Sequence, residues 1–421
     1  MCFHREVRDV PKSFRVLLRL LVLTLVPIGC IYLSRVAAVL YVDPLEIMRD
    51  RKSSGSVDFF FTDMRLQAPG AIRRFFLRNA EGKVAILGSS VGQFILPDDV
   101  ADMLGYTGVF NFTANATSPR EVADQLRLLV KSESLHTIVC TVERHLYFYQ
   151  DDFYDHRVYM PAYYRDNVFA RASYALDGQV SSIALAMLFN CAIQEDASEL
   201  FNPDALYRMR NFARQKKFTQ KPPRDTLLQK REESRKLGIE AYEKIGEDRK
   251  RGIESSLSFP VVDQLVDLAR ANPKVRFILY IPPFAHLYED VFIPGRDGTW
   301  ELELGYHYYY GMKHLVEKLD SIPNATVYAF DDCPEIIENY DNYADPFHPA
   351  IGVPRYFLYS VREGMHIVDR RNVDAYLERV FSIWNNGSLY SDPENTIGFE
   401  GPIAEKEYSE YPYPKSRYAL K

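Results

Sequence analysis

Five short apolar runs constrain what this chain can fold into more than any other feature of its sequence. They are KVAIL from Lys83, GVFNF from Gly108, LHTIVCTVE from Leu135, KVRFILYIPP from Lys274 and NATVYAF from Asn324. Each is short, rich in β-branched and aromatic residues, and bounded by Gly, Pro, Asn, Asp or Ser, as expected of strands buried on both faces. Between them lie segments with helical spacing. DDVADMLGY follows Pro97, SPREVADQLRLLVKS starts at Ser118, FPVVDQLVDLARAN at Phe259 and GMKHLVEKLDSI at Gly311. Ser118 is placed to cap its helix, with Pro119 in the first turn. Strand, helix and strand in this order define an α/β domain built on a parallel sheet.

The rhythm fails between about 146 and 255. That stretch opens with the aromatic and polar YFYQDDFYDHRVYMPAYYRDN and ends with LLQKREESRKLGIEAYEKIGEDRKRGI, whose charges suit a solvated helix with intrahelical ion pairs. We expect a mainly helical insertion there, inside a domain over residues 81–380. Residues 43–80 read as a connector, and 381–421, rich in Tyr, Pro, Glu and Gly, as a peripheral tail. The 51 basic and 57 acidic groups give a net charge of only -6, which carries no nucleic-acid footprint. Five scattered cysteines supply neither a zinc knuckle nor a redox pair, and no metal or cofactor is expected.

From Val16 to Leu33 the chain is almost continuously apolar, and a second apolar run ends at Val42. Residues 1–15 are expected to be cytoplasmic and 16–42 a transmembrane anchor, because Arg5, Arg8, Lys12, Arg15 and Arg19 precede the run. A cleaved signal peptide and a buried or interfacial helix are the alternatives. The anchor would place the main domain outside the cell membrane.

Three places put reactive side chains at predicted strand ends, where open α/β sheets bind ligands. Gly88-Ser89-Ser90 ends the first strand. Asn111 and Asn115 follow the second, where an amide donor would lie beside the serine turn. Asp345 stands three residues before His348 in the proline-flanked loop NYDNYADPFHPAIG, a spacing that lets a carboxylate orient an imidazole. Ser89, His286 and Asp331 are further candidates for contacting substrate, His286 and Asp331 because each lies just beyond a strand.

Together, Gly88-Ser89-Ser90 and Asp345-x-x-His348 resemble the first and last blocks of the SGNH (GDSL-like) hydrolase and acyltransferase superfamily. The serine in the middle of the first block, with one N-terminal anchor, is similar to its branch holding the D-alanyl transfer protein of teichoic-acid modification and exopolysaccharide O-acetylation proteins. The resemblance implies a three-layer α/β/α domain in which Ser90 is the nucleophile, His348 the base and Asp345 its orienting acid. The Ser90 amide with Asn111 or Asn115 would form the oxyanion hole. It also implies acyl transfer or ester hydrolysis on an extracytoplasmic carbohydrate or cell-envelope polymer, with an envelope carbohydrate or acyl donor and a membrane-bound acyltransferase as partners. The Gly-x-Asn-Asp block of that superfamily is missing: Thr141, Glu143 and His145 stand where it would fall. That gap leaves two other readings, a non-catalytic envelope scaffold and a carbohydrate-binding protein that uses the 29 tyrosines.

Overall fold

The computed structural model describes residues 12–42, 83–106, 108–113, 117–148, 242–252, 257–284, 299–337, 342–343, 348–350 and 352–386, with a few isolated positions between them. The chain divides into two compact units, one formed by residues 1–53 and 165–202, the other by 54–164 and 203–421.

In the first unit, α1 (Lys12–Val42) is a helix of 31 residues with Pro27 inside it. Its Leu23, Leu25, Ile28, Ile31 and Leu33 stand exposed. Among the described residues no helix is long and apolar enough to cross a membrane, which corrects the expected transmembrane anchor. Arg19 and Arg35 bracket an uncharged run of 15 residues, Leu20 to Ser34. At 1.5 Å per residue that run covers about 22 Å, short of the hydrocarbon thickness of about 30 Å. The cytoplasmic N-terminus, the extracytoplasmic placement of the main domain and the membrane-bound partner all rested on that span, and are corrected with it.

The second unit is an α/β domain. Its strands are β1 (Lys83–Leu87), β2 (Val109–Asn111), β3 (Leu135–Thr141), β4 (Arg276–Ile281), β5 (Ala325–Ala329) and β6 (Ile367–Val368). They form one sheet in the order β2-β1-β3-β4-β5-β6. The first five strands pair in parallel. β6 runs antiparallel to β5, so the sheet is mixed and the expected all-parallel sheet is corrected at this edge. A strand of two residues is too short to leave an alternation in the sequence. The chain enters it through Gly364 and His366, both at positive φ (67° and 56°), which reverse its direction after a helix.

Successive strand residues point to opposite faces, and both faces are covered. Ala85, Leu87, Ile138, Cys140, Phe277 and Leu279 pack on one side with residues of several helices, among them α3 (Pro119–Leu129), α5 (Pro260–Ala271), α6 (Thr299–Leu319) and α9 (Val373–Asn386). Val84, Ile86, Val139, Ile278, Tyr280 and Tyr328 pack on the other with α2 (Pro97–Leu104) and α8 (Gly352–Glu363). The remaining short helices are α4 (Arg144–Tyr147) and α7 (Pro334–Ile337). Ser118 caps α3 by accepting a hydrogen bond from the Glu121 N–H at 3.2 Å. α9 runs five residues past the expected tail boundary at 381, with Phe381 fully buried. Of the expected insertion, residues 242–251 are helical. The connector over 43–80 and the tail beyond 386 lie outside the described residues.

In this strand order the chain reverses direction between β1 and β3. A crevice opens at the carboxyl ends of strands at such a switch point, and ligands of doubly wound sheets bind there. Ser90 follows β1 and Glu143 follows β3.

Candidate functional site

Gly88 ends β1 with φ 138°, a conformation that side chains rarely adopt, and a Cβ there would sit 1.7 Å from Thr141 Oγ1. Glycine is therefore required where the turn crosses the end of β3. Gly92 lies close to Thr113, whose Cγ2 would be 2.6 Å from an added Cβ. These two approaches press the turn against its neighbours, and Ser90–Phe94 winds into a 3-10 helix. Ser89 is buried and Ser90 half-buried at the mouth of the turn.

The loop bearing His348 is held from below. Tyr343, fully buried, pairs with Pro349 across an antiparallel bridge, and the Ala350 N–H donates to the Asn342 carbonyl at 2.6 Å. Asn342 in turn donates from its amide to the carbonyls of Glu335 and Ile336. This staple aims the imidazole across the sheet edge, where His348 Nε2 lies 2.8 Å from Ser90 Oγ. The two residues are 258 positions apart in the chain. The ring also leans on Phe94, with centroids 5.6 Å apart. Asp345, the expected orienting acid, lies outside the described residues, as do Asn115 and His286.

A clamp keeps the two halves of the pair together. Arg355 on α8, just after the His348 loop, donates from Nε and Nη2 to the two carboxylate oxygens of Asp99 on α2 at 2.9 and 3.0 Å. A fork meeting a half-buried carboxylate fixes distance and angle at once, which a lysine cannot do. Arg355→Lys is expected to cost about 1–2 kcal/mol in urea unfolding and to slow the reactivity of Ser90 severalfold. Lysine restoring both to wild-type values would show that charge alone suffices.

The other sequence candidates fall into structural roles. Asn111 donates its amide to the carbonyls of Gly92 and Ile95 and accepts from Thr113, so it braces the 3-10 turn and does not aim its side chain at a substrate. Asp331 is buried, accepts from Tyr308 and Tyr376, and has Arg144 3.9 Å away. That network joins β5 to the helices on one face. Ser89 turns inward and donates to Glu143.

Glu143 is the residue that the sequence reading passed over. It is only 2% exposed, immediately after β3. Its carboxylate also meets Thr141 Oγ1 at 3.5 Å. Burial raises its pKa, while the Ser89 hydroxyl, the charge of His348, the Ser89 backbone and Thr141 pull in the opposite direction. Burial, reinforced by Arg144, holds His145 down to about 4, so its 3.8 Å approach to Glu143 is not an ion pair at neutral pH. Its place as the last residue of the predicted strand LHTIVCTVE was the available signal; the side chain's inward direction was not.

One buried cluster has metal-ligating chemistry. Asp332, Cys333 and His366 bring their ligand-type atoms within 4.8 Å of one another. Each already has protein partners: Arg379 Nη2 lies 2.8 Å from Asp332, Cys333 Sγ is 3.6 Å from His366 Nδ1, and Tyr356 is 2.9 Å from His366 Nε2. Arg379 supplies the positive charge that a cation would bring. Burial, reinforced by Arg379, lowers the His366 pKa to about 3. The unfolded chain therefore takes up this proton first, so the stability is fully present above about pH 6.5 and is lost as pH falls toward 3. His366→Asn, which tolerates the positive φ, is expected to remove roughly 3 kcal/mol of the wild-type stability difference between pH 7 and 4. Urea midpoints of both proteins across that range test it.

No protein-family model matches this chain, and no curated protein matches its sequence. The resemblance to the SGNH superfamily is corrected accordingly. It rested on two short motifs, and Gly-Ser-Ser recurs wherever a strand ends in a tight turn. What the fold and the site define is an α/β domain with a serine and a histidine in hydrogen-bond contact at the switch point of a mixed sheet.

Proposed function

We propose that this protein carries out serine-dependent acyl transfer or ester hydrolysis, with Ser90 as nucleophile and His348 as general base. The single observation that carries the reading is the 2.8 Å contact between His348 Nε2 and Ser90 Oγ. That distance is within reach for proton transfer, and the imidazole is held by its own loop independently of the serine turn.

In this reaction His348 takes the Ser90 proton as Oγ forms a bond to the acyl carbonyl carbon. The Ser90 backbone N–H, at the start of the 3-10 turn, is assigned to the oxyanion. The carbon–oxygen bond to the leaving alcohol then breaks, and His348 returns the proton to that alcohol. Water or a hydroxyl acceptor, deprotonated by His348, releases the acyl group from Ser90. Asp345 keeps the orienting role that its three-residue spacing from His348 suggests. Asn111 is assigned to bracing the turn, since both its N–H groups serve backbone carbonyls.

The test is covalent. A fluorophosphonate reacts with an activated serine by forming an Oγ–P bond and expelling fluoride, with the proton passing to the base. Peptide mass mapping should find the adduct on Ser90. Modification elsewhere, with Ser90 unmodified, would refute the assignment.

A further inference from the structure

We propose that Glu143 is a positioning residue for the Ser90 nucleophile, holding the serine turn against the end of β3 through Ser89. This inference rests on the serine-dependent reading above and adds a second carboxylate to it, carried by β3 and not by the histidine loop.

Three observations converge. The Ser89 hydroxyl, next in the chain to Ser90, donates to Glu143 Oε1, and both side chains are buried. Thr141 Oγ1, at the end of β3, also reaches that carboxylate at 3.5 Å. Finally, Gly88 lets the turn lie directly against Thr141, two residues before Glu143, so no slack remains between the end of β1 and the end of β3. The turn that sets the direction of Ser90 Oγ is thus attached to the neighbouring strand by a side-chain hydrogen bond and by the close approach of Gly88. Among the described residues, Ser89 and Thr141 meet the Glu143 carboxylate and His145 Nε2 lies 3.8 Å from it.

Glu143→Ala removes the acceptor that holds Ser89. In the full chain, with a fluorophosphonate and p-nitrophenyl acetate as probes, it is expected to slow Ser90 modification about 100-fold. The loss should fall on kcat with little change in KM. Glu143→Gln, which keeps an acceptor oxygen for Ser89, should recover most of the rate. Ser89→Ala, which unties the turn from the other side, is expected to lose roughly 10-fold.

Thermal melts establish that each variant is folded. A folded Glu143→Ala protein with wild-type rate overturns the inference and leaves the serine assignment standing. If Glu143→Ala does not fold, Ser89→Ala decides, and a wild-type rate there overturns it. A wild-type protein unmodified at Ser90 overturns the serine assignment, and this inference with it.

Discussion

Alanine at Ser90 should leave a folded protein that no longer reacts with a fluorophosphonate, and alanine at His348 should slow the same reaction by about 10³-fold or more. Ser90 sits half-buried at the start of a 3-10 helix, and the interaction that alanine removes is its hydrogen bond to His348. The stability cost of that bond is about 1 kcal/mol, too little to unfold the domain. The reactivity has no substitute, since Ser89 is turned inward onto Glu143 and cannot replace its neighbour. His348→Ala is the more informative variant. An unassisted serine hydroxyl stays protonated near neutral pH, so the loss measures how much the imidazole contributes. Equal modification rates in wild type and His348→Ala would reduce the 2.8 Å contact to a structural hydrogen bond.

Gly88→Ala should be the most damaging single methyl in the domain, costing roughly 3 kcal/mol in urea unfolding. The added carbon meets Thr141 Oγ1 at 1.7 Å, Thr141 Cβ at 3.0 Å and the Thr141 backbone nitrogen at 3.4 Å. Thr141 is fully buried at the end of β3 and cannot swing away, and the φ of 138° adds backbone strain for any residue with a Cβ. Two separate penalties predict a partial rescue. Thr141→Ala in the Gly88→Ala background removes the hydroxyl collision and should restore about half of the lost stability, leaving the backbone term. The same methyl displaces Ser90, so its modification rate should fall even where the protein remains folded. Gly88→Ala with wild-type stability and rate would mean that the turn does not lie against β3 as described.

The strands were legible because burial on both faces forces continuous apolar runs, and KVAIL and LHTIVCT needed no tertiary information to be read as such. Ser118 and Pro119 marked the start of α3 through backbone chemistry local to the helix end. β6 was not legible, because two residues carry no periodicity and its pairing depends on Gly364 and His366 turning the chain back. The anchor reading failed for a related reason. Apolar character summed along 16–42 overlooks how short the uncharged run is between Arg19 and Arg35. Family membership failed because motif spacing alone cannot distinguish common ancestry from the ordinary needs of a strand-end turn.

The chain by itself determined the α/β alternation and which polar residues follow strands, since both depend on local periodicity and turn chemistry. Only the tertiary structure decided which of them meet. Asn111, Asp331 and Ser89 are drawn into bracing and core contacts, while Ser90 and His348, 258 positions apart, come to 2.8 Å. Glu143, beyond the end of β3, reaches the serine turn through Ser89. Such meetings are set by strand order, by the Arg355–Asp99 clamp and by the rigid approach of Gly88 to Thr141. The physical reason is that contact between distant residues follows from how whole elements pack, and packing is a property of surfaces that no single segment carries.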